Sequence, residues 1–201
     1  MLSLKKAANE QSSFGYINRQ KKYYLCKTII ITIISLLIFV VGYYLNKKSN
    51  ANIFTVIAIL GVLPGAKAFV GFVVFFPYKS VDKSRFDAMI NELPDDKIHF
   101  EFMADAVFTS PDKVMNLDFI YMDHAKLIGL IGKKNQNISY IQEYLEKGMR
   151  NRGYHCHVQI LTDEKQFRKM IRSMKREENL DEKVKLEQQE IYDYMKSLMV
   201  N

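Results

Sequence analysis

A chain of 201 residues has room for one modest domain and an appendage. Its formal net charge of +7 points toward nucleic acid until the charge is located: residues 1–78 hold nine Lys/Arg against one acid, Glu10, whereas residues 79–201 hold 20 basic and 21 acidic side chains. The larger part of the chain therefore lacks the positive field that phosphate binding needs.

In chain order, residues 1–27 form a basic segment, expected in the cytosol. Residues 28–45, TIIITIISLLIFVVGYYL, carry no charge over eighteen positions, close to the length that crosses about 30 Å of hydrocarbon. Tyr23 and Tyr24 precede this run and Tyr43 and Tyr44 close it, the placement of interfacial aromatic belts. A cleaved leader would have a shorter apolar core and fewer residues ahead of it. The small-residue run Ser49-Asn50-Ala51 does not outweigh that, so an uncleaved span is expected.

A second span is expected from about Asn52 to Pro77, after the short polar loop NKKSNAN. Together the two make a transmembrane helical hairpin over 28–77. Lys47 and Lys48 lie at its tip, and Arg19, Lys21, Lys22, Lys27, Lys79, Lys83 and Arg85 flank its open end. The positive-inside bias then places both termini in the cytoplasm of an integral cell-membrane protein. Cys26 and Cys156 are too few and too far apart for a disulfide framework, which suits a reducing compartment.

Inside the second span stand Pro64, Gly65 and Lys67. Pro64-Gly65 is expected to interrupt or kink the helix, because proline lacks an amide donor and glycine tolerates unusual backbone angles. Lys67 lies ten residues before Pro77, about 15 Å deep at 1.5 Å per residue. A midplane lysine costs at least ~2.5 kcal/mol on insertion scales. It either snorkels to an interface or makes an intramembrane contact, within a homo-oligomer or on an ion or substrate path. A re-entrant second segment, with the domain outside, is the alternative topology.

From Ser80 the composition becomes that of a soluble domain. VDKSRFDAMINEL has Val81, Phe86, Met89, Ile90 and Leu93 at helical spacing. KIHFEFMADAVFTS alternates Ile98, Phe100 and Phe102 against His99 and Glu101, as a strand does. VMNLDFIYM and KLIGLIG read as two further strands, ISYIQEYLEKGMRNRG as a helix stopped by Gly153, and YHCHVQIL as a fourth strand. Thr162 or Asp163 is positioned to cap EKQFRKMIRSMKREE, and Asp181 to cap EKVKLEQQEIYDYMKSLMV. The expected fold class is α+β: a two-helix transmembrane hairpin followed by a small cytosolic α-β-β-β-α-β-α-α domain, its body at 80–178 and a C-terminal helix at 179–201.

Three groups of residues bear on chemistry. His155 and His157 share one face of a strand with Cys156 on the other, but a zinc site needs three or four ligands and no nearby cluster completes one. No P-loop, dinucleotide-binding glycine motif or serine elbow occurs. The helix at 164–178 gathers Phe167, Met170, Ile171 and Met174 on one side and Lys165, Arg168, Lys169, Arg172, Lys175 and Arg176 on or beside the opposite one. Those cations are expected to be solvated or paired with the acidic stretch 177–190, or else to rest on anionic lipid or an acidic protein partner.

The order α-β-β-β-α-β resembles the core of the restriction-endonuclease-like fold of the PD-(D/E)xK nucleases. That resemblance implies a divalent cation held by acids and a lysine that orients water. Pro111-Asp112 resembles the first half of the motif, with Asp118 as an alternative acid and Lys126 as the candidate lysine. No carboxylate stands two residues before Lys126 or Lys133, so the second half departs from the pattern. Literal D-x-K matches at Asp95-Asp96-Lys97, Asp163-Glu164-Lys165 and Asp181-Glu182-Lys183 fall in a turn or at helix starts. The block LPGAKAFVGFVVFFPYKS ahead of a small α+β domain is similar to two-span membrane proteins of low-GC Gram-positive bacteria, a group that brings no activity with it. The sequence therefore points to a membrane-anchored interaction or regulatory domain without evident catalysis and without a cofactor. A tethered, diverged nuclease is the alternative.

Overall fold

The computed structural model describes residues 14–46, 49, 52–93, 102–123, 126–132, 135–173 and 182–200. They form two units: residues 18–77, and a second unit made of residues 14–17 with 78 onward.

The first unit is a pair of long helices, α1 (Tyr16–Leu45, which begins in the second unit) and α2 (Ile53–Phe75). Asn52 caps α2 by accepting the Thr55 amide at 2.9 Å and donates through Nδ2 to the Ser49 carbonyl at 2.8 Å. The buried residues of α2 are Ala58, Gly65, Ala68 and Phe75, a seven-residue recurrence that keeps one narrow seam toward a partner helix. The seam is built from small residues. A Cβ on Gly61 would lie 2.9 Å from Ser35 Oγ, one on Gly65 3.2 Å from Ile31 Cγ2, and one on Gly71 2.6 Å from the Tyr24 ring. Backbones approach this closely only where side chains are missing, as in small-residue helix pairs of membranes.

The expected first span, residues 28–45, lies within α1, which starts earlier, at Tyr16, and runs for 30 residues. Helix formation does not require apolarity, so the basic residues before the apolar run simply continue the helix. Pro64-Gly65 does not interrupt α2, which passes through Pro64. The proline forfeits one i→i−4 bond, and Gly65 serves the close approach to Ile31 rather than a break.

The second unit is α+β. After α3 (Lys83–Ile90) come β1 (Phe102–Thr109), β2 (Val114–Asp123), β3 (Lys126–Ile131), α4 (Ile138–Asn151), β4 (His157–Leu161), α5 (Glu164–Ser173) and α6 (Glu182–Leu198). The element order matches expectation. The sheet order is β1-β2-β3-β4, with β1–β2 and β2–β3 antiparallel and β3–β4 parallel through the α4 crossover. Asn137 caps α4 by accepting the Tyr140 amide at 3.0 Å, and α4 stops at Gly153 with φ +85°. Asp163 caps α5 by accepting the Lys165 amide at 3.1 Å.

The expected alternation on the first strand covers Ile98 and Phe100, which lie outside the described residues. Phe102 through Phe108 are buried without alternation, because helices cover both faces of the sheet. Phe102, Ala104, Phe119, Tyr121, Ile128 and Leu130 pack with Met89 of α3 and with Phe167 and Ile171 of α5. Met103, Ile120, Leu127 and Val158 are also fully buried, as are Leu145 and Met149 of α4 and Met195 of α6. Residues 199–200 meet the far end of the β1 edge: Met199 bridges Phe108 and the Val200 amide donates to the Val107 carbonyl at 3.0 Å. The C-terminal helix is thus part of this unit, and so are Tyr16 and Ile17, both buried, with the Tyr16 hydroxyl donating to the Val200 carbonyl at 2.7 Å.

Candidate functional site

The β1–β2 ladder is regular except at one place, where Ala104 pairs Phe119 and Ala106 pairs Leu117, leaving Asp105 and Asp118 between them. Asp105 adopts φ +55°, a left-handed conformation that aspartate tolerates better than most residues. This irregularity puts two carboxylates in the middle of an apolar sheet; Asp105 is fully buried and Asp118 nearly so.

Each carboxylate has its own partner. Asp105 Oδ1 accepts the Val81 amide at 2.8 Å, while its Oδ2 has no hydrogen-bond partner. Burial pushes the Asp105 carboxyl above its ordinary value; the Val81 amide, the Ser80 hydroxyl and the Gly15 amide pull it partly back, and nearby Asp118 adds to the rise. Asp118 is paired with Arg85 Nη1, and burial still outweighs that cation, so its pKa is also raised. Arg85 Nε donates to Glu164 Oε2 at 2.5 Å, and its guanidinium lies over the Phe119 ring, 5.3 Å from the centroid.

From Glu164 the array continues outward. Arg168 donates to Glu164 Oε1 through Nε at 3.1 Å and Nη2 at 2.5 Å, and pairs with Glu92 through Nη1. Arg172 Nη2 lies 3.2 Å from the same Glu92 oxygen. Three acids thus alternate with three arginines from the sheet centre to the surface. Burial raises Glu164, but Arg168 and Arg85 together outweigh it and hold the carboxyl below its ordinary value. Guanidinium does not give up its proton in proteins, so the array binds α3 and α5 to β2 rather than relaying protons.

The sequence-derived basic surface is divided by this arrangement. Arg168 belongs to the array, with Glu92 and Glu164 as partners rather than the acidic stretch after residue 176. Arg172 is mostly exposed with one ion pair, and Lys165 and Lys169 are exposed. Lys175 and Arg176 lie outside the described residues. In α2, Lys67 and Pro64 are exposed, while Gly65 is buried in the small-residue seam.

The nuclease-like residues do not converge. Asp112 lies in the β1–β2 turn, before the ten-residue strand β2, whereas Lys126 pairs with Asp123 at its far end. At about 3.4 Å per residue the two are roughly 30 Å apart. Asp118, between them, is taken up by Arg85. Asp163-Glu164-Lys165 is a helix start, with Asp163 as its cap. His155 and Cys156 precede β4 instead of lying in it, and His157 Nδ1 is 3.5 Å from Glu146. Burial, with Glu146 nearby, pushes the Cys156 thiol up to about 11, which keeps it protonated and unreactive. Among the described residues no group of three His, Cys, Asp or Glu side chains is placed to hold a metal ion.

Sequence reasoning missed Arg85, Glu92, Glu164 and Asp105 as a set. The available signal was an isolated aspartate within the apolar run FMADAVF, since a charge there must find a partner. Comparison of the chain with family models, with curated proteins and with solved structures finds no match.

Proposed function

We propose that the chain is a membrane-anchored protein whose α+β domain lies in the cytosol and serves interaction or regulation without catalysis of its own. One observation carries the anchoring: the helix pair buries glycine, alanine and serine and exposes its large apolar residues. Ile30, Leu36, Leu37, Ile59, Leu60, Leu63 and Val70 are each more than half exposed. In water this arrangement would be inside out, and in hydrocarbon it needs no further cover. Both helices are also long and apolar enough to cross a membrane. Lys67 is exposed on the helix surface, from where a long side chain can carry its ammonium toward an interface.

The non-catalytic reading is supported by the separation of Asp112, Asp118 and Lys126 and by the ion-paired state of Asp118. Alkaline carbonate treatment of membranes tests the anchoring: the protein should stay with the bilayer until detergent is added. Cysteine labelling tests orientation in a variant lacking Cys26 and Cys156. An impermeant reagent should reach Ser49→Cys in intact cells and reach Ser197→Cys only after lysis. Release by carbonate would overturn the anchor, and labelling at position 197 in intact cells would favour the re-entrant topology.

A further inference from the structure

α2 runs unbroken through Pro64, so the depth of Lys67 along it follows from helix geometry. Lys67 stands fourteen positions after Ile53 and ten before Pro77, about 21 Å and about 15 Å at 1.5 Å per residue. Its four-carbon stem covers only part of either distance. Helical side chains also lean toward the helix N-terminus, here the longer way. Leaning toward an interface therefore relieves part of the cost of the charge and not all of it. Lys67 is exposed, and at the helical period it shares its side of α2 with Leu60, Leu63 and Val70, each more than half exposed. One cation is thus set in an aliphatic face that the helix pair leaves open. Neither α1 nor α2 contains an Asp or Glu, so the pair holds no counter-charge for it.

We propose that this face of α2 docks a transmembrane helix of another protein that carries a carboxylate near its middle, with Lys67 as the ion-pair partner. Charge complementarity selects the occupant. Ionisable side chains at membrane depth pair with one another rather than stand alone in hydrocarbon, and the group that neutralises an ammonium is a carboxylate. Anionic lipid headgroups lie at the interfaces, about 15 Å or more from position 67. A second copy of this chain brings two helices without an acid. Leu60, Leu63 and Val70 supply the apolar contact beside the pair, as helix packing in a bilayer needs. The inference rests on the anchoring reading above and gives the interaction reading a surface and a partner chemistry.

The probe is a synthetic leucine-rich helix of about 20 residues with one aspartate at its centre, reconstituted with the full-length protein in phosphatidylcholine vesicles. Energy transfer between dye-labelled protein and peptide reports association. The aspartate peptide should associate roughly tenfold more tightly than the same peptide with leucine at that position, and more tightly than one with asparagine. Lys67→Met should bring the aspartate peptide down to the leucine level, and Lys67→Arg, which keeps the charge, should retain most of the association. Equal association of the aspartate and leucine peptides, or an aspartate preference that survives Lys67→Met, would overturn the proposal. So would energy transfer between two labelled copies of the protein that Lys67→Met abolishes, since that contact needs no foreign acid. Carbonate extraction is read separately: a protein that stays with the bilayer and ignores the aspartate peptide keeps its anchor and loses this partner.

Discussion

Arg85 Nε donates to Glu164 Oε2 at 2.5 Å while Nη1 of the same guanidinium holds Asp118, so one side chain of α3 joins β2 to α5. Arg85→Ala removes the cation paired with Asp118, whose side chain is 11 % exposed. Breaking a fully buried pair costs about 3–5 kcal/mol. Because Arg85 is 32 % exposed, the expected loss is smaller, about 2–3 kcal/mol. Adding Asp118→Asn should recover part of it. Denaturant unfolding of the detergent-solubilised protein checks both, and a loss within about 0.5 kcal/mol in the single variant would show the array to be inert.

Asp105 gives the domain a pH dependence of defined sign. Its folded pKa is raised above the ordinary 3.8 by burial, so its contribution to stability is complete below that value and is lost as pH rises through the folded pKa. Above it, an ionised carboxylate sits buried in the sheet. Asp105→Asn keeps an acceptor for the Val81 amide, tolerates the left-handed backbone and removes the charge. Its thermal midpoint should exceed that of the parent at pH 8, with the gap closing toward pH 4. Glu164, lowered by its arginines, acts with the opposite sign, supporting the fold above its ordinary value and losing that support as pH falls. The parent–variant difference isolates Asp105 from this effect. A gap independent of pH would remove the carboxylate from the explanation.

The helix pair can be stapled. A Cβ on Gly61 would stand 3.8 Å from Ser35 Cβ, the mean separation across a disulfide, about 3.8 Å. In a background without Cys26 and Cys156, Ser35→Cys with Gly61→Cys should cross-link within one chain on mild oxidation. Ser35→Cys with Lys67→Cys should not, because position 67 is exposed and lies six residues, about 9 Å, along the helix from Gly61. A faster-migrating band on non-reducing gels, resistant to dilution, reports the bond. Its absence in the 35/61 pair would discard this register.

The cations of α5 should divide into two classes. Lys165→Gln and Lys169→Gln remove exposed charges and should change stability by less than about 0.5 kcal/mol. Arg168→Gln leaves Glu92 with only the mostly exposed Arg172 and one side of Glu164 without its cation, and should cost about 1–3 kcal/mol. Binding to vesicles containing phosphatidylglycerol, where each lysine near the surface adds about 1 kcal/mol, should weaken in the lysine variants and fall with added salt. Indifference to anionic vesicles at low salt would end the lipid-contact idea.

Lys67→Met removes an expensive charge from α2 and should leave membrane insertion intact. If the lysine serves only as a snorkelling residue, cross-linking of full-length protein in native membranes should give the same complexes in parent and variant. Loss of one complex at unchanged expression would assign Lys67 an intramembrane contact.

The amino-acid sequence by itself determined the features that depend on neighbours along the chain. The apolar runs, the order α-β-β-β-α-β-α-α, the Gly153 stop and the Asp163 cap are all written in periodicity and local hydrogen bonding, which act over a few residues. The small-residue recurrence Ala58, Gly65, Ala68 was equally present, but Pro64-Gly65 reads as a break until a second helix is placed beside it.

Only the tertiary structure decided which charges are surface and which are core. Arg168 and Lys169 are adjacent in the chain and look alike on a helical projection. One pairs with Glu92, 76 residues away, and the other faces solvent. Arg85 meets Asp118 across 33 residues and Glu164 across 79. Sequence spacing cannot show such pairs, because the cost of burying a charge is offset only by a partner that folding brings from a distant segment. For the same reason Asp112, Asp118 and Lys126, plausible together on paper, are held apart by the length of β2.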